Sequence, residues 1–298
     1  MDLINIRTGK NNDYLKQIVV VSGKGGTGKT TLTAAFAAMT SNAVISDCDV
    51  DAADLHILLQ PDIKQSHSYL GGKKAVIDPI RCTECSLCEE YCRFNAIHNY
   101  QIDPISCEGC GFCFRVCPEN AIDFNEVISG YYYESIFTGG DFLYAALEPG
   151  EGNSGKLVSE VKQRANIIAK QNERGRHFVD GPPGIGCPVN ASLAGADFAV
   201  IITEPTVSGL HDMERVLQIV KRFAIPASIV INKYDLNLNM TENIEAFAAK
   251  NDMPVSGKIP FDESVDQALL AGQNIMEFEG SPVAREIYNI WDNVTHLI

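Results

Sequence analysis

Positive charge is scarce in this chain: 24 Lys and Arg stand against 38 Asp and Glu, a formal charge of −14 over 298 residues. A phosphate backbone is met by a basic stripe or patch. Here the basic residues are scattered apart from short pairs such as Lys73-Lys74, so no nucleic-acid partner is expected. Long apolar runs are missing too. No stretch approaches the roughly 18 apolar residues of a membrane-spanning helix, and Met1 to Lys16 lacks the apolar core of a secretory signal. The expectation is a cytoplasmic protein with no stable membrane association. With 45% hydrophobic and 21% charged residues, the composition is that of a globular chain. Its length suits two average domains, or one large α/β domain with a small insertion.

Cysteine, by contrast, is abundant. Of ten cysteines, eight fall in two copies of one unit. The first runs Asp78-Pro79-Ile80, then Cys82, Cys85, Cys88 and Cys92, then Asn95-Ala96-Ile97; the second runs Asp103-Pro104-Ile105, then Cys107, Cys110, Cys113 and Cys117, then Asn120-Ala121-Ile122. A C-x2-C-x2-C-x3-C run supplies thiolates to an iron–sulfur cubane. Structural zinc is the alternative, but zinc ligands usually form two pairs across a longer spacer, whereas these are compact quartets with matching flanks. A reducing compartment fits this usage better than disulfides do.

A second chemistry opens the chain. Gln17 to Val21 is a β-rich apolar run leading into Gly23-Lys24-Gly25-Gly26-Thr27-Gly28-Lys29-Thr30, which satisfies G-x-x-x-x-G-K-[ST] between a strand and a helix. Backbone N–H groups of such a loop curl around phosphates at a helix start. Gly23, Gly25, Gly26, Thr27, Gly28 and Thr31 are assigned to the loop, with Lys29 on the β/γ-phosphates and Thr30 on Mg²⁺. Beyond the insertion, Tyr131–Phe137 and Phe142–Leu147 flank Gly139-Gly140 as a hairpin. A helix is expected over 154–171. Strands at His177–Val179, Phe198–Thr203, Ala227–Asn232 and Val255–Ile259 then alternate with helices, which argues for a mostly parallel, doubly wound α/β sheet.

The segment from Lys24 to Thr30 resembles the deviant phosphate loop of the MinD/ParA/Mrp family of P-loop ATPases, which includes the nitrogenase iron protein. Membership implies ATP/ADP and Mg²⁺ as ligands, and a catalytic set of Lys24, Lys29 and Asp49. Lys24 would cross a nucleotide-sandwich dimer to the partner's phosphates, in a homodimer or a heterodimer with a related ATPase. Asp47-Cys48-Asp49 resembles switch I, with Asp49 positioning the attacking water. Asp180-Gly181-Pro182-Pro183-Gly184 resembles the Walker B and switch II segment, with Asp180 on Mg²⁺ and Gly184 sensing the γ-phosphate. Asn232-Lys233 resembles the adenine-contacting element, and Ile259-Pro260-Phe261-Asp262 the loop over the base, through Pro260 and Phe261.

The cysteine units resemble two-cluster ferredoxins, in which the fourth cysteine of each run serves the other cluster. That resemblance implies two [4Fe–4S] clusters, one on Cys82, Cys85, Cys88 and Cys117 and one on Cys107, Cys110, Cys113 and Cys92. Arg93 stands where the ferredoxin pattern often has proline. The expected organisation is an ATPase domain in two parts, 1–74 and 126–298, around a small α+β ferredoxin-like insertion at 75–125. Residues 1–16 read as a loosely held leader.

Cys187 sits at the offset of a dimer-bridging cluster cysteine in the nitrogenase iron protein, but Asn153 occupies the second such position. Cys187 is therefore either half of a shared metal or labile cluster site or an inert buried residue, while Cys48 reads as packing. The histidines lack ligand spacing, and His211 reads as a capping or surface group. In the last helix Val283, Ile287, Ile290, Trp291 and Val294 share a face, read as core because Glu286 and Asp292 make the tail non-basic. The leading functional expectation is ATP hydrolysis coupled to electron transfer to a redox or metallocofactor partner. The alternatives are a cluster assembly or carrier factor and a MinD/ParA-like positioning ATPase.

Overall fold

The computed structural model describes residues 15–152 and 154–298, so the expected leader lies outside the described residues up to position 14, as does Asn153. In chain order the strands are β1 (Lys16–Ser22), β2 (Ala43–Asp47), β3 (Asp62–Ile77), β4 (Ile97–His98), β5 (Gln101–Ile102), β6 (Ile122–Phe137), β7 (Gly140–Leu147), β8 (Arg176–Pro183), β9 (Phe198–Thr203), β10 (Ala227–Asn232) and β11 (Val255–Ile259). The helices are α1 (Lys29–Ala38), α2 (Leu55–Leu59), α3 (Leu87–Glu90), α4 (Phe112–Val116), α5 (Ser154–Gln171), α6 (Cys187–Leu193), α7 (Val207–Arg222), α8 (Leu238–Lys250), α9 (Glu263–Leu270) and α10 (Pro282–Leu297).

β1 explains the layering. Successive side chains of a strand point to opposite faces. Ile18 and Val20 enter one buried layer with Phe36, Phe178 and Trp291, while Val19 and Val21 enter the other with Val161, Leu193 and Met213. A run of four buried apolar residues, Ile18 to Val21, must be covered on both sides, as in a parallel sheet between helices. The nine-stranded sheet runs β11-β10-β9-β1-β8-β2-β7-β6-β3. From β11 to β7 the neighbours are parallel, and β6 and β3 are added antiparallel. The expected mostly parallel sheet is therefore present, and the β6–β7 hairpin and α5 lie where the pattern put them. The apolar face of α10 is buried. No helix among the described residues is long and apolar enough to cross a membrane.

β3 carried no sequence signal. Its first half, Asp62 to Ser68, offers Ile63 as its one apolar side chain, and that side chain is exposed. The strand is held by its partner instead, pairing with β6 from Asp62 opposite Ile136 to Ile77 opposite Ile122. This ribbon carries the cysteine-rich segment beyond its far end, so the expected limits near 75 and 125 cut through its two strands. The segment has a small core of its own, in which Ala75, Cys88, Ile97 and Ile122 are buried with Cys92, Cys113, Cys117 and Phe124 against them.

Candidate functional site

β1 lies between β8 and β9, and ligands of open α/β sheets bind beyond the carboxyl ends of strands at such a switch point. Gly28, the last residue before α1, has φ of 91°, and a Cβ there would lie 2.6 Å from Asn232 Nδ2. Conformation and space both require glycine. Asn232 Nδ2 donates to the Thr27 carbonyl at 2.9 Å, tying the end of β10 to the loop. The resulting cleft, about 770 Å³, brings Gly25, Gly26, Gly28, Lys29, Thr30 and Thr31 together with Asp49, Asn232 and Lys233. Its remaining wall includes Ile57, Leu58, Val265 and Ile287, an apolar surface suited to a flat ring.

Other expected residues stand apart from the cleft lining. Gly23, Thr27, Pro260 and Phe261 are not part of it; Phe261 is partly exposed, and its N–H donates to Asp235 Oδ1 at 2.7 Å. The Gly184 N–H donates to the Ser22 carbonyl at 3.0 Å, holding the loop after β8 against β1. Lys24 turns away to Glu204, with Nζ 3.0 Å from Oε2, and Lys233 Nζ lies 2.9 Å from Oε1 of the same carboxylate. Glu204 was missed in the sequence, although its place just after the buried strand β9 was the available signal.

Asp180 is fully buried and accepts hydrogen bonds from Thr30 Oγ1 at 2.8 Å and Thr33 Oγ1 at 3.0 Å. Burial raises its pKa, opposed by Lys29 and the two hydroxyls. Asp47, which opens the segment resembling switch I but was given no role of its own, is buried as well. Burial and then Asp180 hold its carboxyl well above the ordinary range, against N–H groups donated by Leu55 at 3.1 Å and Asp49 at 3.0 Å. Burial pushes Asp49 up to about 6, with Lys29 pulling it down and Asp180, Asp51 and Asp54 adding to the rise. Carboxylates crowded this way favour an added cation, and Thr30 with Asp180 is the pair that could hold one.

In the cysteine-rich segment the backbone repeats itself. The Ile80 N–H donates to Asp78 Oδ1 at 2.8 Å, and the Ile105 N–H donates to Asp103 Oδ1 at 3.0 Å. The halves also cross: the Asp78 N–H reaches the Ala121 carbonyl at 2.7 Å, and the Asp103 N–H reaches the Ala96 carbonyl at 2.8 Å. Two cavities follow from this crossing. Cys82, Cys85, Cys88 and Cys117 line one; Cys92, Cys107, Cys110 and Cys113 line the other. The Ala96 N–H points at Cys92 Sγ (3.4 Å) and the Ala121 N–H at Cys117 Sγ (3.3 Å). Among the described residues, no group of three or more His, Cys, Asp or Glu side chains is set to hold a single metal ion. All-thiol quartets gathered around separate cavities have the donor chemistry of a cubane.

Cys187 is exposed at the first residue of α6. That corrects the reading of it as a buried packing residue, because α6 starts at the surface. Cys48 is fully buried, and burial pushes its thiol up to about 12, in keeping with packing; His211 is exposed.

Residues 18–275 match the CobQ/CobB/MinD/ParA nucleotide binding domain. An uncharacterized protein of Methanocaldococcus jannaschii is 33% identical over 292 residues, covering 96% of this chain and 100% of that one. The septum site-determining protein MinD of Synechocystis is 24% identical over 257 residues, covering 83% and 77%. Among solved structures, the cell division ATPase MinD of Pyrococcus furiosus superposes with a TM-score of 0.59 at 17% identity, covering 95% of this chain and 99% of that one. MinD of Pyrococcus horikoshii, complexed with Mg-ADP, gives 0.58 at 17% identity, covering 94% and 96%. At these identities the superpositions speak for the fold alone, and the family match carries the assignment: the chain is an ATP-hydrolysing P-loop enzyme belonging to the CobQ/CobB/MinD/ParA nucleotide-binding family.

Proposed function

We propose that this ATPase uses its nucleotide state to govern electron delivery to a partner protein or metallocofactor, from two [4Fe–4S] clusters carried at the end of the β3–β6 ribbon. The observation that carries this reading is the sorting of eight cysteines into two cavities. Each takes three thiols from one run and the fourth from the other, the crossed ligation of two-cluster ferredoxins. Bound there, each cluster would supply one reversibly held electron. The chain's own part is to aim N–H groups at Cys92 and Cys117, which tunes thiolate basicity. The division into an ATPase body at 1–74 and 126–298 with a ferredoxin-like module at 75–125 belongs to this proposal.

At the nucleotide, Lys29 and the loop N–H groups hold the phosphates, with Thr30 and Asp180 on Mg²⁺ and Asp49 orienting water. Gly184 senses the γ-phosphate, and Asn232, Lys233, Pro260 and Phe261 close on the base. Lys24 acts across a nucleotide-dependent dimer formed with a second copy or a related ATPase. The MinD of P. horikoshii with Mg-ADP lends support to the ligand, and the MinC:MinD complex of Aquifex aeolicus to partner assembly.

The test is anaerobic. Purified protein should carry about eight irons per chain, and its potentials and partner affinity should differ between ATP and ADP. Protein lacking iron, or iron-loaded protein indifferent to nucleotide, would sink the proposal. Asp49→Ala should accumulate the ATP-bound dimer; wild-type turnover in that variant would remove Asp49 from its role. A cluster-carrier reading is favoured by one observation, the exposure of Cys187 beside an open groove with Lys156 and Arg164. An additional labile iron fraction lost in Cys187→Ala would bring that reading forward.

A further inference from the structure

One stretch of chain touches both the nucleotide side of the molecule and the cysteine module. It follows β7 and leads into α5. At its start the Leu147 N–H donates to the Val50 carbonyl at 3.1 Å, in the loop after β2 that carries Asp49. In its middle, Glu151 Oε1 lies 2.6 Å from Lys74 Nζ, and Gly150 packs on Ile105 of the second cysteine repeat. Separately, Gly155, the second residue of α5, lies against Cys187 at the start of α6. The loop after β2, which carries Asp49, and the cysteine module therefore meet on a single connection.

Lys74 is the crossing point. It belongs to β3 and is nearly buried, its side chain 10% exposed against 14% for Glu151. Its ammonium also donates to the Pro104 carbonyl at 2.5 Å, at the entry to the second repeat. One residue earlier the Lys73 carbonyl lies so close to Gly109 that any side chain at 109 would collide with it. The second repeat, which supplies three of the four thiols in one cavity, is thus seated against β3. Removing one partner of a nearly buried ion pair leaves the other charge uncompensated, so the pair restricts how the module can sit on the body.

We infer that Lys74 and Glu151 are positioning residues that transmit nucleotide state from the loop after β2 to the cysteine module. This rests on the coupling proposed above and names its route, which runs through the Leu147–Glu151 connection rather than along the chain from Asp49 into β3. Neither residue touches the cleft.

Hydrogen exchange of residues 103–117, in cluster-loaded protein with ADP or a non-hydrolysable ATP analogue, tests it. In wild type the two states should differ on the order of fivefold or more, the low end of usual coupling strengths. In Glu151→Ala and Lys74→Met the difference should fall below about twofold, with iron content and ATP turnover unchanged. A purely structural pair would instead speed exchange equally in both states. Glu151→Ala removes the carboxylate on the connection while Lys74 keeps its bond to the Pro104 carbonyl, so it decides the matter alone if Lys74→Met does not fold. A wild-type difference that survives in Glu151→Ala overturns the tether while leaving the coupling intact. Loss of turnover in that variant also overturns it, since Glu151 would then act on the nucleotide site. No difference in wild type removes the coupling and the tether with it.

Discussion

Glu204 is where a small change should have a measurable effect. One carboxylate holds two lysines: Lys24 Nζ lies 3.0 Å from Oε2, Lys233 Nζ lies 2.9 Å from Oε1, and both lysine side chains are about a third exposed. To reach a partner's phosphates, Lys24 must first leave Glu204. An ion pair with that exposure contributes about 0.5–1 kcal/mol. A symmetric dimer breaks two of them, so the restraint totals about 1–2 kcal/mol, or roughly 5–30-fold in dissociation constant. Glu204→Gln is the suitable perturbation. Its amide oxygen can stay on Lys233 while its NH₂ faces Lys24 and repels it. Sedimentation velocity across a concentration series with Mg-ATP should show dimerisation tightened by that factor, with no change in ADP. The gain should shrink as salt screens the wild-type pair. An ATP-dependent dimer that is unchanged or weaker in Glu204→Gln refutes the reasoning, because Glu204 would then not restrain Lys24 within its own subunit.

Three further outcomes are expected. If the cavities group the cysteines as described, the double variant Cys85→Ala/Cys117→Ala damages one quartet and keeps roughly half the iron, whereas Cys85→Ala/Cys92→Ala damages both and keeps none; iron analysis showing the reverse would mean each run binds its own cluster. His177 is fully buried between Ser46 (2.8 Å) and Asn166 (2.9 Å), and burial with the nearby Lys162 holds it down to about 3. Below its unfolded value of about 6.5 only the unfolded chain takes up the proton, so this stabilisation is present above that pH and is lost as pH falls toward 3, by up to about 1.4 kcal/mol per unit. Anaerobic urea unfolding should therefore lose about 2 kcal/mol more in wild type than in His177→Gln between about pH 7 and pH 5, and equal losses would contradict it. Phe178, fully buried with its ring centroid 5.4 Å from Trp291, should cost about 3–5 kcal/mol on change to Ala; the single tryptophan reports the transition by fluorescence, and a cost under about 1 kcal/mol would mean the layer collapses around the gap.

Much of this was legible because the chemistry is local. A phosphate loop needs its glycines and lysine within one turn, so Gly23 to Thr30 announced it. The two cysteine runs stood out by spacing, and α5 and α10 by the period of their buried faces. β3 was not legible because its register is set by β6, more than fifty positions away at its open end, and its own pattern is polar.

From residue order alone came the mostly parallel sheet, expected from short apolar strands alternating with helices, and the phosphate loop. What only the tertiary structure decided are contacts between side chains far apart in the chain: Glu204 on Lys24, Asp180 under Thr30, Lys74 between Glu151 and Pro104, and Cys187 left facing solvent. The reason is physical. Local periodicity reports which face of an element is buried, whereas a charge pair forms only after packing has set two such elements within about 4 Å of each other.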